Sequence, residues 1–199
     1  NLNRDRFVEQ LKGYLAIPSI SALPEHAADV RRCAEWTAAE LTRIGMHGAR
    51  LVETPGHPVV YAEWLGAAGA PTILFYGHYD VQPVDPLELW TSPPFEATVR
   101  DGELYARGAV DDKGQVFCLL KAYEAVRDAD GNPPLNVHFL FEGEEECGGR
   151  VVFDLLKAEP ERTKVDAVLV CDMSYYAKGW PAVYTALRGL CYAELEVRT

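Results

Sequence analysis

The sequence lacks any apolar run that approaches the ~18 residues of a membrane-spanning helix. Its amino terminus also lacks the charged and then apolar pattern of a secretory signal peptide. The five cysteines are odd in number, widely spaced and form no C-x-x-C pair. A disulfide framework is therefore not expected, and reduced thiols in a cytoplasmic setting are favoured.

Basic residues are scarce as well. Nineteen lysines and arginines stand against thirty aspartates and glutamates, which gives a formal net charge of −11. Because this excess repels phosphate groups, neither nucleic acid nor an anionic membrane is expected as a partner. The length of 199 residues and the hydrophobic fraction of 48% are sufficient for a globular protein with a substantial core.

Hydrophobic periodicity predicts an α/β fold, with a mostly parallel, twisted sheet flanked by helices. Helices are predicted over Arg4–Leu15, Ala28–Ile44, Asp112–Val126 and Gly149–Ala158. Strands are predicted over Ala49–Val52, Val59–Leu65, Thr72–Tyr76, Ala97–Arg100, Glu103–Tyr105, Asn136–Phe141 and Asp166–Val170. The segment from Val81 to Pro94 contains four prolines and is predicted to be a rigid loop.

The pattern changes near residue 180. Residues 1–180 are expected to form the main domain, whereas Leu190–Arg198 alternates apolar and polar residues as a strand with one wet face does. A single strand of this kind cannot bury its apolar face alone. Residues 181–199 are therefore interpreted as a linker and the first strand of a second α+β domain that is cut short. The alternative is a final edge strand of the main sheet.

Metal-type ligands follow three of the predicted strands, and two further carboxylates lie in the turn before the third helix. These residues are His78, Asp80, Asp111, Asp112, Glu144, Glu145, Glu146 and Asp172. Because the carboxyl ends of parallel strands meet at one edge of a sheet, we expect these side chains to converge. One imidazole with several carboxylates is the composition of a site for two divalent metals.

His78 and Asp80 suit a metal ligand and the residue that orients it. Asp80 would accept a hydrogen bond from one ring nitrogen of His78 and leave the other free for the metal. Asp111 or Asp112 could instead be a helix N-cap. Both interpretations hold together if Asp112 lies at the helix start and Asp111 bridges two metals ~3.5–4 Å apart.

The acidic triplet Glu144–Glu146 could be a solvated run of charge. Its position between a buried strand and Gly148–Gly149 argues against this, because three like charges there repel one another unless cations neutralise them. Asp172 ends a strand in the same manner, although alone it would be an ordinary cap.

Four motifs together resemble the zinc-dependent M20 metallopeptidases, a family that includes carnosine-type dipeptidases, carboxypeptidase G-type enzymes and the acetylornithine and succinyl-diaminopimelate deacylases. The motifs are Gly77–Val81, Arg107–Gly114, Glu142–Gly148 and Cys171–Ser174. The doubled aspartate of the second motif and the Glu-Gly-x-Glu-Glu form of the third are similar to the dipeptidase branch.

This resemblance implies a role for each site residue. It implies that His78 and Asp172 hold one zinc ion, that Glu146 holds the other and that Asp111 bridges both. Asp80 matches the residue that orients the histidine. A cis peptide bond after Asp111 is also implied.

The implied reaction is hydrolysis of the peptide bond in dipeptides or short peptides by a metal-bridged water, with Glu145 as the general base. Two Zn²⁺ ions are the expected cofactors, and Mn²⁺ or Co²⁺ would suit the same ligands. An N-acyl-amino-acid deacylase with the same site and an inactive metal-binding fragment are the alternatives.

The sequence departs from the family in one respect. Members of the family take a further zinc ligand, a histidine, from beyond an inserted lid and dimerisation domain, and no residue here can be assigned to it. We therefore expect an N-terminal part of a longer enzyme, inactive alone, whose full-length form pairs as a homodimer through the lid.

Overall fold

A computed structural model describes residues 3–198 of the chain. Its helices are α1 (Arg4–Leu15), α2 (Ala27–Arg43), α3 (Lys113–Asp130) and α4 (Arg150–Ala158). Its strands are β1 (His47–Val52), β2 (Val59–Trp64), β3 (Thr72–His78), β4 (Thr98–Arg100), β5 (Glu103–Tyr105), β6 (Asn136–Glu142) and β7 (Ala167–Val170). Every helix and strand predicted before residue 180 is present, with bounds that shift by a few residues.

Five of the strands form one sheet in the order β1-β2-β6-β3-β7. The β6–β3 and β3–β7 pairs are parallel, whereas the β1–β2 and β2–β6 pairs are antiparallel. The α/β class is confirmed, but the sheet is evenly mixed and not mostly parallel. The short turn between β1 and β2 makes the first of these pairs antiparallel, because a parallel pair needs a crossover of about a dozen residues or more. The second antiparallel pair joins β2 to β6, which lies far from it in sequence.

The central strand β6 supplies both hydrophobic cores by alternation along its length. Phe139 and Phe141 pack in the larger core with residues of α1, α2 and α3, whereas Leu140 packs in the smaller core with Val152 of α4. Helices therefore cover both faces of the sheet, and β6 is buried throughout its second half. No helix among residues 3–198 has the length and apolarity needed to cross a bilayer.

The parallel strands deliver the polar residues to a single edge. β3 and β6 both extend beyond their predicted ends and finish at His78 and Glu142, which are opposite each other in register. β7 lies on the other side of β3 and ends at Val170, two residues before Asp172. The three segments that follow β3, β6 and β7 thus leave the sheet side by side.

Residues 181–198 contain neither helix nor strand, so the strand predicted over Leu190–Arg198 is not formed. The apolar side chains of this segment are exposed, and Leu190 is 95% exposed. A strand requires a partner for its main-chain hydrogen bonds, and no described segment pairs with this one. The division into domains at residue 180 stays a prediction, and residue 199 lies outside the described residues.

Candidate metal centre

His78 lies at the end of β3 with its side chain fully buried. Its Nε2 atom is 3.1 Å from Asp111 Oδ1 and 3.7 Å from Asp172 Oδ2. Its Nδ1 atom is 3.1 Å from the main-chain oxygen of Asp80 and 3.3 Å from Asp80 Oδ1. These acceptors assign the proton of the neutral ring to Nδ1, which leaves the Nε2 lone pair directed at the two other carboxylates.

The loop before α3 brings both of its aspartates to His78. The peptide bond between Asp111 and Asp112 is cis, as the family resemblance implied. Asp112 Oδ2 accepts a hydrogen bond of 3.0 Å from the main-chain N–H of His78, and its Oδ1 is buried without a hydrogen-bond partner. Gly77 makes this approach possible, because a Cβ there would lie 2.5 Å from Asp112 Oδ2.

Asp112 is a further candidate ligand, although the sequence analysis placed it among the converging carboxylates and assigned it only to the start of the helix. One potential ligand atom from each of His78, Asp112 and Asp172 lies within 4.8 Å of the others. Asp112 does occupy the N-cap position of α3, as expected, but its side chain makes no capping hydrogen bond. Its carboxylate is directed into the site, so the doubled aspartate offers two oxygen donors to a cation.

The acidic triplet divides into three different environments. Glu144 Oε1 accepts a hydrogen bond of 2.8 Å from the main-chain N–H of His57. Glu145 is half-buried at the start of a single 3-10 turn. The main-chain N–H of Glu146 donates to Asp80 Oδ2 at 3.1 Å, and its own carboxylate accepts a bond of 2.7 Å from Gln82. The triplet is therefore folded into the site and is not a uniform solvated run.

Burial changes the acidity of the carboxyl groups around the site. It is the largest cause that raises the pKa of Asp112 to about 8, and the charges of Asp172 and Asp111 raise that pKa further. Burial is also the first cause of the raised pKa values of Glu145 and Glu146. Without a cation, these carboxylates are costly to ionise together.

The pKa of His78 reflects the same excess of negative charge. Burial alone would lower this pKa, but hydrogen bonds with Asp172 and Asp80 and the charges of Asp80 and Asp112 raise it to about 12. In the metal-free chain both ring nitrogens of His78 are therefore protonated near neutral pH. The resulting imidazolium places a positive charge among the carboxylates.

The donor set fits a divalent cation. Among the side chains that the structure describes, no lysine or arginine forms an ion pair with Asp80, Asp111 or Asp172. The adjacent Lys113 is buried and directs its ammonium to the main-chain oxygen of Ile17, 2.8 Å away. One imidazole nitrogen, the neighbouring carboxylate oxygens and the buried Oδ1 atom of Asp112, which has no hydrogen-bond partner, form a donor set that suits a divalent cation.

A family model described as "Peptidase family M20/M25/M40" matches residues 74–183, which is more than half of the chain. All four motifs identified in the sequence fall within this range. The chain belongs to this peptidase family. The M20 resemblance predicted from the motifs is thereby confirmed.

Two curated M20 relatives are dipeptidases. The chain is 32% identical to a β-Ala-His dipeptidase from Rattus norvegicus over 100% of its own length and 43% of the relative. It is 34% identical to a cysteinylglycine-S-conjugate dipeptidase from Corynebacterium striatum over 99% of its own length and 43% of the relative. The similarity to the dipeptidase branch is confirmed, and the chain spans less than half the length of these relatives.

A solved M20 structure has the same fold. The crystal structure of human carnosine dipeptidase 1 matches with a TM-score of 0.80 and 34% identity. The match covers 87% of this chain and 40% of that one. Helices on both faces of a mixed sheet are therefore the architecture that this M20 chain shares with a solved dipeptidase.

Two uncharged residues beside the candidate metal site were not predicted from the sequence. Ser21 Oγ donates a hydrogen bond of 2.5 Å to Asp80 Oδ2, and Gln82 Nε2 donates to Glu146 Oε2. Ser21 lies 59 positions before Asp80 in a loop without regular structure, so no local pattern links the two. Gln82 is near Asp80 in sequence, but an exposed glutamine is not distinctive.

A cavity of about 880 Å³ lies beside the candidate metal site. Val110 and Tyr175 line it, which places it beside Asp111 and beside the segment that follows Asp172. Much of the remaining lining is apolar and includes Pro86, Leu89, Trp90, Leu104 and Tyr105. The cavity has the volume and apolar walls that suit a small organic ligand.

Proposed function

We propose that the whole protein is a metal-dependent dipeptidase that hydrolyses the peptide bond of a dipeptide or a short peptide. The approach of His78 Nε2 to the carboxylates of Asp111 and Asp172 carries this proposal, since no described lysine or arginine neutralises them. The substrate class comes from the relatives, which are dipeptidases for β-Ala-His and for cysteinylglycine conjugates.

We propose His78, Asp111, Glu146 and Asp172 as the ligands of two divalent cations, with Asp111 shared between them. Zn²⁺ suits this set of imidazole and carboxylate donors, and Mn²⁺ or Co²⁺ would also fit. Bound cations would polarise the scissile carbonyl and lower the pKa of water toward ~7. Asp80 contributes by holding the His78 ring with Nε2 towards the site.

Glu145 is the proposed general base. It lies half-buried in the same loop as Glu146, and burial raises its pKa, which makes its carboxylate a stronger base than that of an exposed glutamate. Glu145 takes one proton from water as the water oxygen attacks the carbonyl carbon. It then gives that proton to the amine nitrogen as the C–N bond breaks.

Zinc binding to the chain is expected to release protons at neutral pH. The pKa of His78 is raised to about 12 in the metal-free chain, so its ring is protonated, whereas a metal ligand must be neutral. At lower pH, protons compete more strongly with zinc for the His78 ring, so the affinity for zinc should fall as pH falls. Titration calorimetry in buffers of different ionisation enthalpy measures the released protons. Binding without proton release, and with one affinity from about pH 6 to 8, would contradict this account.

Tyr175→Ala in the whole protein is expected to raise KM for a dipeptide with a large apolar side chain, with kcat nearly unchanged. Burying such a side chain contributes about 1.5–3 kcal/mol, so loss of part of this contact should raise KM about tenfold. Steady-state kinetics on Ala-Ala and a bulkier dipeptide check this. Tyr176→Ala is the matched control, because Tyr176 is equally exposed and does not line the cavity. If the two substitutions change KM equally, the cavity is not part of the substrate site.

We further propose that residues 181–199 lead into a second domain through which the whole protein forms a homodimer. The exposed apolar residues of this segment support the proposal, because they need a partner surface.

The five cysteines all lie among the described residues, and none of them forms a disulfide. Free thiols favour a reducing compartment such as the cytoplasm.

The activity is tested by assaying this chain and the whole protein with β-Ala-His, Cys-Gly and N-acetyl amino acids, with metal content measured in parallel. The proposal requires that the whole protein hydrolyse a dipeptide, lose this activity on chelation and regain it with Zn²⁺. If the whole protein hydrolyses N-acetyl amino acids but no dipeptide, it is a deacylase. If it binds metal and hydrolyses none of these substrates, the site binds metal without catalysis.

A further inference from the structure

We propose that Ser21 is a positioning residue of the metal centre, which acts by fixing the Asp80 carboxylate. This inference rests on the proposed metal-dependent function. Ser21 follows α1 in the chain and contacts none of the proposed metal ligands through a hydrogen bond of its side chain. Ser21 would therefore act on the cations indirectly, through the Asp80 carboxylate that it contacts.

Asp80 joins three separate segments through one buried carboxylate. Its Oδ2 atom accepts hydrogen bonds from Ser21 Oγ at 2.5 Å and from the Glu146 main-chain N–H at 3.1 Å. Its Oδ1 atom lies 3.3 Å from His78 Nδ1. The orientation of this carboxylate consequently sets both the ring of His78 and the position of the loop that carries Glu146.

The carboxylate needs an external constraint because its own torsion is soft. The last side-chain torsion of an aspartate has a broad, roughly two-fold profile, so its partners decide where the two oxygens point. Asp80 is fully buried, and no described lysine or arginine pairs with it. The Ser21 hydroxyl is its one side-chain partner besides His78 among the described residues, and it holds Oδ2 away from the ring.

The main chain presents Ser21 to Asp80 in a defined register. Ile20 forms an isolated parallel bridge with Val81, and the Val81 N–H donates to the Ser19 oxygen at 2.9 Å. Ser19 is fully buried and donates its hydroxyl to the main-chain oxygen of Tyr79 at 2.7 Å. Two serines of one short segment thus anchor the same strand end, one to a carbonyl and the other to the carboxylate.

This pair of serines gives a matched test. Zn²⁺ affinity of the 199-residue chain is measured by competition with a chromogenic chelator, and the melting temperature of each metal-free variant is measured separately. Ser21→Ala is expected to weaken zinc binding about tenfold. Losses of about this size are typical when a hydrogen bond that orients the groups around a metal ligand is removed. Ser21→Thr keeps the hydroxyl and should bind zinc as the unmodified chain does. Ser19→Ala should lower the melting temperature without changing the zinc affinity.

The outcomes separate the inference from the function on which it rests. Unchanged affinity in Ser21→Ala, or an equal loss in Ser19→Ala, overturns the positioning role while the metal centre stands. An unmodified chain that binds no zinc overturns the metal centre and the positioning role together. If Ser21→Ala fails to fold, Ser21→Val serves instead, because valine is branched at Cβ as threonine is but lacks the hydroxyl, and it should give an affinity below that of Ser21→Thr. Equal affinities of these two variants would also overturn the role.

Discussion

Glu145→Gln should abolish peptide hydrolysis by the whole protein while its metal content stays unchanged. The amide has nearly the shape of the carboxylate but cannot take a proton from water. Loss of a general base costs about 10²–10⁴-fold in rate, and kcat should fall by that factor with little change in KM. The measurement is kcat for a dipeptide together with metal analysis of the same sample.

The neighbouring Glu144 provides the control for this change. Its carboxylate accepts a hydrogen bond from the main chain of His57 and takes no part in the proposed chemistry. Glu144→Gln retains an acceptor oxygen for that bond and should keep most of the activity. If Glu145→Gln instead loses bound metal, Glu145 is a ligand and the assignment of the triplet is wrong by one position.

Asp111→Ala should cause the largest loss of metal affinity. Asp111 Oδ1 is the carboxylate oxygen nearest to His78 Nε2 among the described ion-pair contacts, and Asp111 is the proposed shared ligand. Loss of a partner outside the ligand shell already costs about 10–100-fold, so loss of a shared ligand should exceed that range. Zinc competition titration of the 199-residue chain measures the change.

Asp112→Asn distinguishes the two aspartates. Its amide oxygen can still accept the hydrogen bond from the main-chain N–H of His78, so zinc affinity should remain within a few-fold of the unmodified chain. The opposite result, with strong binding in Asp111→Ala and loss in Asp112→Asn, would make Asp112 the ligand. The proximity of Asp112 to His78 and Asp172 makes this comparison necessary.

Much of the fold was predictable because its signals are local. The apolar runs that became β3, β6 and β7 were identified with bounds close to those observed, and the buried face of α3 follows its apolar spacing. The convergence of His78 and Asp172 also follows from a simple rule, since the parallel strands β3 and β7 end at a common edge. These features need only neighbouring residues and the direction of the chain.

The remaining features depend on contacts between distant segments. The antiparallel pairing of β2 with β6 joins residues far apart in sequence and made the sheet evenly mixed. The bond from Ser21 to Asp80 and the approach of Asp112 to the His78 main chain depend in the same way on folded geometry. The alternation over 190–198 was a genuine local pattern, but a strand also needs a partner, and none of the described segments provides one.

The most direct test of the account is anomalous diffraction at the zinc absorption edge from crystals of the zinc-loaded chain. The account predicts a strong peak at ~2.0–2.2 Å from His78 Nε2 and from carboxylate oxygens of Asp111 and Asp172. A second cation, if present, should share Asp111 and contact Glu146. Zinc bound elsewhere, with no peak beside His78, would contradict the central claim that these converging carboxylates form a metal centre.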